Sequence, residues 1–334
     1  MKHAIVFVKP LMMACILAFL CHQAYASVFE QWKAEWPRTD FSKTSIDLNE
    51  ILSGGPSKDG IPAIDKPDFV EVKFIHDYLK DFSENEPIIG VIINGQAKAY
   101  PLRILMWHEI VNDELGGIPI SVTYCPLCNT SIVFDRRVKS QLLDFGTTGK
   151  LRHSDMLMYD RQTESWWQQY SGEAVVGQLI GAQLTILPSR LESLKAFKDR
   201  APKGLIQVPN QPGIRNYGAN PYIGYDSSRT PFLYKGDLPK GIPPMMRVVA
   251  VGNQAVMLPT LMAEKNFTHG DLVFSWSPGQ SSALDTPNIS NGRDVGNVRV
   301  TKNGKDIPYV VTFAFAFYAF NPDATILSLF PKEE

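Results

Sequence analysis

Two cysteines, Cys125 and Cys128, stand three positions apart in TYCPLCNTS (residues 123–131), with Pro126 and Leu127 between them. That spacing admits three chemistries: a thiol–disulfide couple, part of a metal site, or a structural clip. A disulfide closing so short a loop adds roughly 2 kcal/mol by chain entropy, against ~3 kcal/mol for a 15-residue loop. A clip is therefore possible but inefficient. Two thiolates on a knuckle between strands can also chelate one ion, but no second cysteine pair exists downstream to close a four-cysteine zinc ribbon. Further ligands must come from other residue types. The candidates are His108, His153 in LRHSDMLMYD, and the thioethers of Met156 and Met158. Soft sulfur with an imidazole suits copper(I), or zinc held by two thiolates and one histidine. A short turn separates the His108 segment from the strand that reaches Cys125, so His108 is the expected third ligand. Each histidine taken alone is more often a hydrogen-bonded structural residue, and the two methionines are more often core.

As a redox tetrad, CPLC resembles the active site of glutaredoxin-like proteins, which place the pair at a helix N-terminus to lower the first thiol's pKa. Here NTSIVFDRR follows, and its Asn, Thr and β-branched residues favour turn and strand. Other chemistries fail on single positions. WHEIVND lacks the second histidine of a zinc-protease helix, because Asn112 stands there; Glu109 remains a possible base without a nucleophile beside it. Gly55–Gly60 is followed by Ile61-Pro62 and GTTGK by Leu151, so neither is a phosphate loop and no nucleotide cofactor is expected. No Gly-x-Ser-x-Gly elbow occurs. YDRQTESWWQQYSGE (159–173) could line a ligand groove, but it reads better as a hairpin with an aromatic core face and a charged outer face.

The elements that must position these residues are mostly strands. IIGVII (88–93), the turn NGQ and AKAY (97–100) read as a hairpin. PLRILMWHEIVNDEL (101–115) has helical spacing and is stopped by Gly116-Gly117; IPISVTY (118–124) is a buried strand, and SIVFD another. FAFAFYAF (313–320) fits either period. Residues 247–262 echo 90–105, and 272–285 echo 121–135, with no cysteine in the second copy and Asn266 aligned to His108. The expected fold class is therefore α+β but β-rich, with mixed or antiparallel sheets, few short helices and two degenerate internal repeats. The expected organisation is a signal peptide at 1–26, an extended N-terminal arm at 27–66, a first repeat with the CxxC knuckle at 67–205, and a second repeat at 206–334.

At 334 residues, 44% hydrophobic and 20% charged, the composition is that of an ordinary globular protein, and a formal charge of −1 offers no basic surface for nucleic acid. Lys2 and Lys9, the ten-residue apolar run Leu11–Leu20 and AYA (24–26) make a secretory signal with cleavage expected after Ala26. A spanning helix needs roughly twenty apolar residues, so no transmembrane anchor is expected after cleavage. Cleavage removes Cys15 and Cys21, takes the formal charge from −1 to about −3, and sends the chain out of the cytoplasm, in the expected bacterial setting to the periplasm.

The long stretches INGQAKAYPLRILMWHEIVNDELGGIPISVTYCPLCNTSIVFDRR and LDFGTTGKLRHSDMLMYDRQTESWWQQYSGEAVVGQLIGAQL closely resemble the bacterial family catalogued as domain of unknown function 3179. The resemblance runs from about GGPSKDGIPAID to FNPDATI. Trp107-His108-Glu109, Cys125-Pro126-Leu127-Cys128 and Met158-Tyr159-Asp160 match its pattern. Arg152-His153 departs from it, since the pattern has Tyr-Asn there, which weakens His153 as a ligand and favours His108. The resemblance implies a shared architecture and no particular activity. From sequence, then, the chain is an exported protein binding copper or zinc. The alternatives are a periplasmic thiol–disulfide redox protein, and a binding or structural module whose CxxC pair only pins a turn.

Overall fold

A computed structural model describes residues 30–327. The expected signal peptide, with Cys15 and Cys21, lies outside them. The chain does not form an α+β protein. It folds into five small sheets arranged as the blades of a propeller, with no layer of helices against them. The reason is visible in the helices, which are four to seven residues long, one or two turns each, and so cap strands without covering a sheet. Among the described residues no helix is long and apolar enough to cross a membrane.

Tight turns set the strand register. Asn94 (φ 50°) and Gly95 (φ 78°) join strands Pro87–Ile93 and Gln96–Pro101, which is the turn whose twist matches that of a hairpin. The apolar spacing over 101–115 holds for seven residues only. Leu102–His108 is helical, Glu109 takes a left-handed φ of 57°, and Ile110–Leu115 is a strand. The diglycine Gly116-Gly117 (φ 60° and 78°) then turns the hairpin into strand Ile118–Cys125 instead of capping a helix. Ile110, Val111 and Leu115 carried both periods, and strand pairing won. FAFAFYAF divides: Phe313 ends a strand, and Ala314–Phe320 is a helix.

One order of elements occurs twice. Strands 87–93 and 96–101 form a hairpin, flanked by antiparallel Ser189–Ser193 and parallel Leu205–Val208. Strands Arg247–Val251 and Gln254–Met257 do the same, flanked by antiparallel Val310–Phe313 and parallel Thr325–Leu327. Each hairpin is followed by a seven-residue helix and a three-stranded meander: 110–115, 118–125 and 130–135 in one case, Asn266–His269, Leu272–Ser277 and Asn297–Lys302 in the other. Glu109 O accepts from Tyr124 N at 2.8 Å, and Lys265 O from Trp276 N at 2.7 Å. By helix position the counterpart of His108 is Glu264, because the second hairpin's outgoing strand is shorter. The counterpart of Cys125 at the strand's end is Ser277.

The fifth sheet, Ile51–Ser53, Phe145–Arg152, Asp155–Asp160, Trp166–Gln168 and Glu173–Val176, has no counterpart among the described residues. The N-terminal arm packs on it. Trp32, Trp36 and Phe41 surround the fully buried Trp166, with ring centroids 5.2–5.6 Å apart. Lys58 Nζ sits 4.3 Å from the Trp36 ring centroid and 2.7 Å from Glu164. The aromatic face expected of the 159–173 hairpin is therefore core. Asp160 is structural, accepting from Thr163 N at 2.6 Å and Trp167 Nε1 at 2.9 Å. A Trp166→Ala substitution should destabilise the protein by roughly 3–5 kcal/mol. Urea titration followed by circular dichroism reads this directly, and a loss under about 1 kcal/mol would mean that the arm does not close on this sheet.

Candidate metal centre

Cys125 ends one strand and Thr130 begins the next, paired across the knuckle. Asn129 makes this turn possible: its φ is 54°, a left-handed value that Asn tolerates, and its amide donates to Pro126 O at 3.2 Å. Its side chain accepts from the Tyr124 hydroxyl at 3.2 Å and donates to Val311 O at 3.1 Å. From the neighbouring strand, Phe313 N and the Thr312 hydroxyl donate to Cys128 O at 3.2 and 2.8 Å. The knuckle is thereby fixed on both sides.

Opposite it lies the turn between strands 145–152 and 155–160. His153 and Ser154 occupy it with φ of 54° and 65°, a conformation that usually takes Asn-Gly. This turn aims the Ser154 carbonyl at both thiols, Cys125 Sγ at 3.8 Å and Cys128 Sγ at 3.4 Å. The next residue is Asp155. Its Oδ1 accepts from Gln168 Nε2 at 2.6 Å and Tyr170 N at 2.9 Å. Its Oδ2 lies 3.4 Å from the Thr130 hydroxyl. That hydroxyl has one proton and a nearer acceptor, Gln169 Oε1 at 2.7 Å. Asp155 Oδ2 therefore keeps free lone pairs.

The two Sγ atoms and an Asp155 oxygen all lie within 4.8 Å of one another, and all three residues are buried. The cysteines are not joined by a disulfide. A tetrahedral zinc ion with bonds of about 2.0–2.3 Å spaces its ligands about 3.3–3.8 Å apart, so modest closure would seat one.

Electrostatics at this site run in one direction. Burial pushes the Asp155 carboxyl up to about 7. Burial, then the charge of Asp155, pushes Glu109 up to about 8. Burial, then Cys125, raises the Cys128 thiol well above its ordinary value. None of the leading influences on these three groups is a cation. Burying negative charge without a cation nearby is costly, so the site favours the protonated forms of all three groups.

The expected ligands are not all gathered here. His108 Nδ1 lies 2.8 Å from Pro62 O, so it carries the proton, and Nε2 accepts from the Tyr217 hydroxyl at 2.8 Å. Both ring nitrogens are thus engaged, and the cluster of three does not include it. His153 lies on the turn, its Nε2 3.6 Å from a Glu50 oxygen and its ring edge-on to Phe320. Met156 and Met158 alternate on a strand and pack in the main apolar core. In LRHSDMLMYD the imidazole and thioethers are the conspicuous soft ligands, and Asp155 does not stand out beside them. Its signal was an acid placed immediately after a turn, one residue short of the expected soft ligands.

A five-bladed propeller whose first half carries a buried dithiol–carboxylate cluster is the class of protein that fold and site define. Residues 58–324 match the family described as Protein of unknown function (DUF3179), and the chain belongs to it. No curated protein and no solved structure matches the chain.

Two outcomes follow from this geometry. The left-handed φ at position 153 suits Asn better than His, and explains why Asn fits there. His153→Asn should leave the melting temperature equal or higher, whereas His153→Val should cost roughly 1–2 kcal/mol; a reversed order in thermal melts would refute the strained turn. For metal-free protein, the folded carboxyls of Asp155 and Glu109 titrate above their unfolded values of about 4. Between those limits the native state binds more protons, so stability must fall as pH rises from about 4 toward 8. Urea midpoints of chelator-treated protein should show that slope, shallower in Glu109→Gln.

Proposed function

We propose that this protein is a metal-binding protein whose centre is Cys125, Cys128 and Asp155, and that zinc is the ion. The observation that carries the reading is the convergence of three buried ligand atoms within 4.8 Å of one another. A divalent cation would replace the protons that burial favours on Asp155 and Cys128, and would release them on binding. The third ligand decides between metals. A carboxylate is a hard oxygen donor, which suits zinc better than copper(I), whose preference is for sulfur and imidazole. The Ser154 carbonyl or a water would complete the coordination. Asp155 is oriented by Gln168 and the Tyr170 amide, the outer support that metal carboxylates commonly have.

Thiol–disulfide exchange is the weaker reading. It needs an accessible thiolate, and Cys128 is fully buried with its thiol held protonated. The N-terminal residues 1–26 support export to an oxidising compartment, where bound zinc would also keep the two thiols from pairing.

Elemental analysis of protein purified without chelator should give one zinc per chain, lost in Cys128→Ser and weakened at least about tenfold in Asp155→Asn. Cobalt substitution should give thiolate charge-transfer absorption in the near ultraviolet. His108→Ala should keep its metal. Metal-free protein with two titratable thiols under anaerobic conditions would sink the proposal, and loss of metal in His108→Ala would replace Asp155 by that histidine.

A further inference from the structure

A cavity of about 460 Å³ opens on the far side of Gln168 and Tyr170, the two residues that hold Asp155. Its walls come from three sheets and the helix Ala314–Phe320, and mix apolar side chains, Ile46, Val175, Ile186, Val310 and Phe320, with polar ones. Gln168, Arg152 and Glu173 are its leading polar residues. Gln168 is almost fully buried; its Nε2 is committed to Asp155, but its Oε1 accepts no hydrogen bond. Arg152 uses Nε on Glu50 at 2.6 Å and its guanidinium lies 5.9 Å from the Phe320 ring centroid, while its two terminal nitrogens make no hydrogen bond among the described residues. Glu173 lines the same cavity, and its carboxylate has no ion-pair or hydrogen-bond partner among the described residues. Tyr170 stacks on Phe320 with ring centroids 4.5 Å apart, giving the cavity a flat apolar wall.

These groups complement a small molecule with one end of each charge and an apolar body. We propose that the cavity binds an α-amino acid with an apolar side chain. The terminal nitrogens of Arg152 take its carboxylate, a planar fork suited to two parallel hydrogen bonds. Glu173 takes the ammonium, and the aliphatic part of the wall takes the side chain. Glu50 offsets part of the Arg152 charge, so a simple anion gains less there than a zwitterion that also pairs with Glu173. The cavity shares Gln168 and Tyr170 with the cysteine–aspartate cluster but contains none of its three ligands, so the proposal stands without any metal.

Isothermal titration calorimetry of the full chain tests it, using L-leucine, its 2-hydroxy acid analogue and the amine lacking the carboxylate. Leucine should give saturable one-to-one binding, with both analogues weaker by about tenfold or more. Glu173→Gln, at a partly exposed strand position, should erase the preference for the amino over the hydroxy acid while its melting temperature is kept. Arg152→Gln should abolish discrimination against the amine. Absence of saturable heat with leucine, valine, isoleucine, methionine and phenylalanine at millimolar concentration overturns the proposal. So does leucine binding that a folded Glu173→Gln variant leaves unchanged. Titrations of zinc-loaded and chelator-treated protein keep the result separate from the metal reading, since binding should survive in both.

Discussion

The organising constraint is the cost of unpaired negative charge in a dry site. Asp155, Glu109 and Cys128 are gathered where water is excluded and no arginine or lysine is among their leading influences. Such a group of acids is tolerable only when protonated or when a cation sits among them. Elsewhere the chain handles buried charge differently. Arg103 is fully buried, but its Nη2 donates to Glu86 at 2.7 Å and its Nη1 to Asp81 at 2.9 Å; Arg247 lies against Asp226 at 3.1 Å. Pairing is thus the rule in this molecule, and the cysteine–aspartate cluster departs from it.

The surrounding structure follows from holding that cluster still. Left-handed backbone at Asn129, His153, Ser154 and Glu109 places four strained residues on the two turns and the helix end that meet there. Such conformations persist only where neighbours over-determine them. The segment between strands 205–208 and 247–251 covers the same region. Tyr225 donates from its hydroxyl to Leu127 O at 3.1 Å, Tyr217 reaches His108, and the Ser154 hydroxyl bonds Phe232 O. A connection this long, with only one 3-10 turn at Tyr225–Ser227, is uncommon in a compact fold, and here it covers the cysteine knuckle.

The repetition of hairpin, helix and meander shows what the scaffold can do without the cluster. The second set keeps the left-handed helix end at Lys265 and its bond to Trp276, yet Lys265 lies over the Trp276 ring at 3.9 Å and Ser277 ends the strand. A cation resting on an aromatic ring occupies the place that Glu109 takes in the first set. The geometry is common to both; the buried acid and thiols belong to one.

Much of this was legible in the residues themselves. Alternating runs and the Asn-Gly and Gly-Gly pairs located the strands around Cys125, because side-chain period and turn chemistry are local properties. The cysteine pair stood out for the same reason. The fold class was not legible: PLRILMWHEIVNDEL satisfies a helical period throughout, and only pairing of 110–115 with 118–125 ended the helix at His108. Asp155 stands 27 residues beyond Cys128, and His108 only 17 before Cys125, so proximity in sequence favoured the histidine. The tertiary structure bonds His108 to Pro62 and Tyr217 and folds the turn at 153–154 back over the thiols, which brings Asp155 beside them. Sequence determines which side chains are able to ligate, since that is a matter of atoms. Which of them meet depends on strand pairings between distant segments, and those are settled only when the whole chain is packed.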